Sequence, residues 1–231
     1  MLEVELNIAL INLLKKRRVQ LEELAEASKL NVEILLELLE GLPLKLERGT
    51  VVVEDAALFL LSCWKRGIDP IRLALEAGWR DFEELCARIL EEASYTTLRN
   101  LRFKRKGRSY EVDVVAFKKP RVLAVDCKKW RRFRSSLLKR AAESQKSRAE
   151  ELADALRASH SLVGYVKGWN ELRVYPVVVT LHEGRLKVHE GVPVVPLLKL
   201  AGFLRELEAY EDEVYVARRR IALDYYRGHS R

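Results

Sequence analysis

The sequence is short of the residues from which redox and cofactor centres are built. Its three cysteines, Cys63, Cys86 and Cys127, stand in apolar segments without metal-like spacing. They read as reduced core thiols of a cytoplasmic protein. There is one methionine, and the aromatic residues form no cofactor box. No apolar run approaches the roughly 20 residues that span a bilayer. The opening pattern is amphipathic and already carries Glu3 and Glu5, so no secretion signal is expected. No serine sits in a nucleophile-elbow context; Ser135 and Ser136 read as helix-start residues. Glutamine is scarce while both charge signs are abundant, a composition that leans toward a heat-adapted source.

What is present is the composition of a folded protein, 48% hydrophobic and 33% charged. The formal net charge of +8 hides a steep asymmetry. Residues 1–60 carry 7 basic and 11 acidic side chains, whereas residues 94–150 carry 18 basic and 5 acidic ones. The positive field therefore sits mid-chain, and a polyanion is the expected partner.

Four regions are expected: a helical unit over 1–56, a helical connector over 57–78, an α/β domain over 79–209 and a basic tail over 210–231. In the first, Leu6, Ala9, Leu10, Leu13 and Leu14 recur at helical spacing, Leu21 to Ala27 makes a second helix, and Asn31 caps a third reaching Glu40. Leu44 to Val53 alternates around Gly49 like a two-stranded wing, which gives the outline of a winged helix-turn-helix. The third helix offers Glu33, Glu37 and Glu40 where a base reader would carry basic or amide side chains, so packing or dimerisation suits it better than base reading. In the connector, Phe59, Leu60, Cys63 and Trp64 are expected in the core. Asp81 should then start a helix, with Glu84 completing a capping box. Its buried face is Phe82, Leu85, Cys86, Ile89 and Leu90, with Glu83 at the margin.

The α/β domain should contain strands near 95–103, 110–117, 122–128 and 173–180, short strands at 186–189 and 192–195, and helices at 136–158 and 197–207. Two of the strands hold charges that an apolar strand has no reason to carry. Strict alternation puts Glu111, Asp113 and Val115 on one face of the first and Asp126 and Lys128 on one face of the second, and a Lys119-Pro120 turn can join them. Two neighbouring carboxylates repel unless a cation lies between them. With carboxylates, the Cys127 backbone carbonyl and water on offer, Mg2+ or Mn2+ suits the pair better than zinc. No histidine lies near this trio in sequence. The Lys128 ammonium can position a water or offset charge growing on a phosphoryl group; a structural Asp126–Lys128 ion pair is the plainer reading. Gln145 interrupts the apolar face Leu138, Ala142, Ala149, Leu152 and Leu156, and an inward amide needs a partner, whether an active-site water, a phosphate or a protein group.

These residues resemble the PD-(D/E)XK nuclease superfamily, most closely its archaeal and Mrr-like branches. The resemblance rests on Trp79-Arg80-Asp81-Phe82-Glu83, on the run from Tyr110 to Ala116, on the run from Val122 to Trp130, and on Gln145. It implies a restriction-endonuclease-like fold, a mixed central sheet flanked by helices, here with an N-terminal winged-helix-like helical domain. It also implies that Glu83, Asp113, Asp126, Lys128 and Gln145 form the catalytic set, with Asp113, Asp126, Glu83 and the Cys127 carbonyl toward the metal. No proline precedes Asp113, and Asp126 stands where glutamate is more frequent in the family.

A basic flank surrounds the set: Arg99, Arg102, Lys104, Arg105, Lys106 and Arg108 before it, and Lys129, Trp130, Arg131, Arg132 and Arg134 after it. Many phosphate contacts give affinity with little sequence preference. Trp130 and Phe133 can stack on bases or cover the core edge. The expectation is a metal-dependent DNA endonuclease, with duplex, branched and single-stranded DNA all open. The leucine-rich N-terminal unit suits a homodimer. The alternatives are a catalytically silent nucleic-acid-binding or assembly scaffold and a winged-helix regulator.

Overall fold

The computed structural model describes residues 2–76, 78–130, 135–159 and 161–221. The chain divides into two compact units, 1–85 and 86–231. The first contains α1 (Leu2–Lys16), β1 (Arg18–Gln20), α2 (Leu21–Ser28), α3 (Val32–Leu39), β2 (Lys45–Glu47), β3 (Thr50–Val52), α4 (Ala56–Lys65) and α5 (Pro70–Glu76). The three strands form one antiparallel sheet with β3 in the centre. β1 escaped the sequence reading because three residues are too few to show alternation. Asn31 caps α3 as expected, its side-chain oxygen accepting the Ile34 amide at 2.8 Å. In α4, Phe59, Leu60 and Cys63 are buried, but Trp64 is only half-buried.

Helix α6 (Trp79–Glu92) crosses the boundary between the units. It starts two residues earlier than expected, which makes Asp81 its third residue. Asp81 Oδ2 reaches back to accept the Gly78 amide at 2.6 Å and takes Arg17 at 2.5 Å. Asp81 itself is thus the acid arm of the cap, a role expected of Glu84. Glu83 lies in the first unit and is buried, 5% exposed, where a marginal position was expected.

The second unit is built on a sheet of order β4-β5-β6-β7-β9-β8. Its strands are β4 (Thr96–Arg105), β5 (Arg108–Lys118), β6 (Arg121–Lys128), β7 (Glu171–Thr180), β8 (Val188–His189) and β9 (Val192–Pro196). β4, β5 and β6 run antiparallel, while β6, β7 and β9 run parallel. A parallel neighbour requires a crossover, and α7 (Ser135–Ala158) supplies it between β6 and β7. The expected closing helix is a 3-10 turn at Leu197–Lys199 followed by α8 (Leu200–Glu206). A last strand, β10 (Ala217–Arg220), lies in the stretch expected as a basic tail and pairs with the start of β7.

The inward face of α7 is the one its spacing predicts: Leu138, Ala142, Gln145, Ala149, Leu152 and Leu156 are all buried. Ala149, Leu152, Ala153 and Leu156 pack with Val115, Val122, Ala124 and Val174 of the sheet. Leu138 and Ala142 pack with Val178, Val192 and Val194. Alanines on this face let the helix backbone lie close to the strands. Replacing the fully buried Leu152 by alanine should lower unfolding free energy by about 2–5 kcal/mol, measurable by urea titration.

Outside this apolar contact, ions tie α7 to its neighbours. Arg105 at the end of β4 and Lys106 in the turn after it pair with Glu151, Arg105 also with Asp154, and Arg219 of β10 with Glu150 and Asp154. Lys106 and then Arg105 hold the Glu151 carboxyl below its ordinary range, and Arg219 chiefly does so for Asp154, in each case against the cost of burial. Both carboxyl pKa values fall on folding. The stabilisation is therefore complete above the ordinary values of 4.5 and 3.8 and is lost as pH drops through the lowered folded values. The urea midpoint should fall steeply below about pH 4, and less steeply in an Arg105→Met, Arg219→Met double variant.

Candidate metal and nucleic-acid site

The pairing of β5 with β6 runs from Lys118↔Arg121 to Val114↔Val125 and stops there, one step short of Asp113 and Asp126. The pairing of β5 with β4 also skips Asp113, opposite Asn100, which takes a left-handed φ of 52°. Strict alternation does not survive this point: Val112 and Val115, three residues apart, join the same core cluster. Where the backbone ladder ends, a side chain continues it. Asp113 Oδ2 accepts the Cys127 amide at 2.7 Å.

Asp126 is 3% exposed, near the end of β6 and directly after the apolar run from Val122 to Val125. A buried carboxylate needs charge or hydrogen bonds close by, and two cations supply them. Lys128 Nζ donates to Oδ1 at 2.9 Å and lies 2.8 Å from Oδ2, the second contact being an ion pair without hydrogen-bond geometry. Arg148 Nη1 donates to Oδ1 at 3.0 Å. Oδ2 is consequently buried without a hydrogen bond, an oxygen with lone pairs to offer a hard cation. Lys128 also approaches the Trp130 ring, 6.0 Å from its centroid.

Arg148 was not anticipated. On α7 it lies three residues after Gln145, and its Nη1 also donates to Gln145 Oε1 at 3.0 Å. Gln145 is fully buried and its Nε2 donates to the Ala124 carbonyl at 2.7 Å. The inward amide thus meets protein groups on both sides, and it fixes α7 to β6 two residues before Asp126. A partner search for Gln145 along its own helix, at the i+3 position, would have flagged Arg148.

Cys127 lies behind the site. The Cys86 thiol beside it and complete burial push its own thiol well above the ordinary value, which suits an inert core residue. Thr180 of β7, opposite Lys128, is buried and donates to the His182 carbonyl at 2.8 Å. Glu83 belongs to the first unit.

The basic flank is less available than its count suggests. Arg102 pairs with Glu111, while Arg105 and Lys106 are engaged with α7. Arg99, Lys104, Lys106 and Arg108 are exposed, and Lys129 is half-buried. Trp130 packs against the Leu138 and Ala142 cluster, the core-edge position open to it. Arg131, Arg132, Phe133 and Arg134 lie outside the described residues.

A second group capable of holding a divalent ion lies on another part of the same unit. Ligand atoms of Glu143, His189 and Glu190 fall within 4.8 Å of one another. His189 Nε2 and Glu143 Oε1 are 3.1 Å apart, and Lys146 Nζ is 3.3 Å from Glu190 Oε2. An imidazole with two carboxylates suits a transition ion better than magnesium. Sequence separation hid this cluster, since α7 and β8 contribute residues 46 positions apart.

Residues 78–181 match the family described as a nuclease-related domain, NERD. An uncharacterized protein of Archaeoglobus fulgidus is 34% identical over 134 residues, spanning 57% of this chain and 93% of that protein. Among solved structures, a protein of unknown function, AF1548, is 17% identical with a TM-score of 0.31, covering 52% of this chain and 51% of its own. The chain thus spans about half the length of AF1548. The small subunit, R.BspD6I2, of the heterodimeric restriction endonuclease R.BspD6I is 14% identical with a TM-score of 0.35, covering 70% of this chain and 81% of its own. Through the nuclease-related domain at 78–181 and its kinship with the archaeal protein, the chain belongs to the broad PD-(D/E)XK-related nuclease superfamily.

Proposed function

We propose that the protein is a divalent-metal-dependent endonuclease that hydrolyses DNA by direct attack of water, without a covalent intermediate. The observation that carries this reading is the buried Asp126 carboxylate, whose Oδ2 lacks a hydrogen bond, beside Asp113 at the point where the β5–β6 ladder ends. Asp113, Asp126 and the Cys127 carbonyl would hold Mg2+ or Mn2+. Such an ion, when bound, supplies Lewis-acid stabilisation of the phosphoryl oxygens and a more acidic water. Lys128, held beside Asp126, orients the attacking water and offsets charge developing on the phosphate. Arg99, Lys104, Arg108 and Lys129 meet backbone phosphates, as would Arg131, Arg132 and Arg134, and give affinity rather than sequence preference.

One observation favours the catalytically silent scaffold as a second reading. Asp126 already holds Lys128 and Arg148, so its charge is balanced without a metal.

The deciding experiment incubates the purified chain with duplex, single-stranded, flap and four-way DNA, in Mg2+ or Mn2+ and then in EDTA. Metal-dependent cleavage is expected. Asp113→Ala, Asp126→Ala and Lys128→Ala should each reduce it by about a hundredfold or more, while binding to the same DNA largely survives. Binding without cutting on every substrate would favour the scaffold. Cleavage unchanged in Asp126→Ala would sink the proposed site.

A further inference from the structure

The charges at Asp126 do not sum to those of an open metal site. Asp126, 3% exposed, is met by two cations, Lys128 and Arg148, and with the neighbouring Asp113 carboxylate the charges already balance, two against two, before any metal arrives. A divalent ion entering beside Asp126 would face both cations at short range, in surroundings where charge is poorly screened. Either a cation must leave or an anion must join. Lys128 is held by its strand, two residues from Asp126 on β6. Arg148 is differently placed. It reaches in from α7, its side chain is 32% exposed, and among the described residues Nη1 alone makes its bonds, to Asp126 and to Gln145. Among the same residues the rest of the guanidinium is left over, and a guanidinium fork matches two phosphate oxygens.

We propose that Arg148 couples metal to nucleic acid: without nucleic acid it occupies Asp126 and opposes metal entry, and with nucleic acid it turns its charge to a phosphodiester. Gln145, anchored on the Ala124 carbonyl, is the positioning residue that keeps Arg148 within reach of both. The two ligands then bind cooperatively, and the coupling is reciprocal because it is a free energy shared between them. A nuclease so built loads its metal chiefly when a strand is present. The inference rests on the metal position given under Proposed function.

The experiment is a Mn2+ titration of the full chain by calorimetry, without nucleic acid, in a His189→Ala background that removes the Glu143, His189 and Glu190 cluster. Arg148→Met should bind Mn2+ about tenfold tighter than its parent, because it deletes a cation opposing the ion. Arg148→Lys, which keeps the charge, should stay near the parent and shows that folding is not at issue. A general loss of structure would weaken metal binding, so the sign separates the two. In a second arm, Mg2+ should raise affinity for an uncleavable phosphorothioate duplex in the parent, and that gain should vanish in Arg148→Met. Equal Mn2+ affinity in Arg148→Met and parent, with Asp126→Asn abolishing binding, would overturn the role of Arg148 and leave the metal site standing. Absence of Mn2+ uptake in every variant, with or without the duplex, would overturn both.

Discussion

One buried carboxylate sets the terms for the second unit. Asp126 follows the apolar run from Val122 to Val125 near the end of its strand, and a carboxylate buried there is stable only if opposite charge is held against it. Lys128 comes from the same strand, but Arg148 has to be delivered by a different element. The path of the chain provides this. The parallel pairing of β6 with β7 forces a crossover, the crossover is α7, and α7 passes directly over the strand it has just left. The alanines of its inner face allow the close approach, and Gln145 converts that approach into a fixed register by bonding the Ala124 carbonyl. Removing the carboxylate from such a set costs about 3–5 kcal/mol, because the cations gathered on it are left uncompensated.

The same economy of charge explains why the basic flank is only partly free. A sheet edge with many cations cannot lie against a helix unless the helix answers with acids, and α7 carries Glu150, Glu151 and Asp154 along the stretch that meets Arg105, Lys106 and Arg219. Those cations serve folding. The ones left exposed, Lys104 and Arg108 among them, are the part of the positive field that a polyanion can use.

Much of this was legible in the sequence, for identifiable reasons. The inner face of α7 follows from a spacing of three and four over about five turns, long enough for periodicity to be unambiguous. The strands of the site were legible because their apolar runs end at turn signals. Two kinds of feature were not. Short elements such as β1 and β10 carry too few residues to show a pattern and exist because a neighbouring strand has an open edge to pair. Charge partners from distant segments were equally hidden: Arg148 reads as one more basic residue on a solvated helix, and only the crossover places it on Asp126. The alternation across Asp113 failed for a local reason, the left-handed Asn100 opposite it, which sequence spacing cannot register.

A carboxylate that is compensated from within can belong to a dead scaffold or to a site waiting for its ligands, and composition alone does not separate the two. A purely structural ion pair needs one cation. Asp126 has two, one of them on a partly exposed side chain with unused donors, and it keeps an oxygen that makes no hydrogen bond. Stability would be served as well by a smaller, apolar arrangement, since buried pairs return little net energy against hydrophobic packing of the same volume. Two cations already set against the neighbouring Asp113 and Asp126 are instead what a site requires if its final complement includes both a metal ion and a phosphate, because the arriving anion must find a cation already in place.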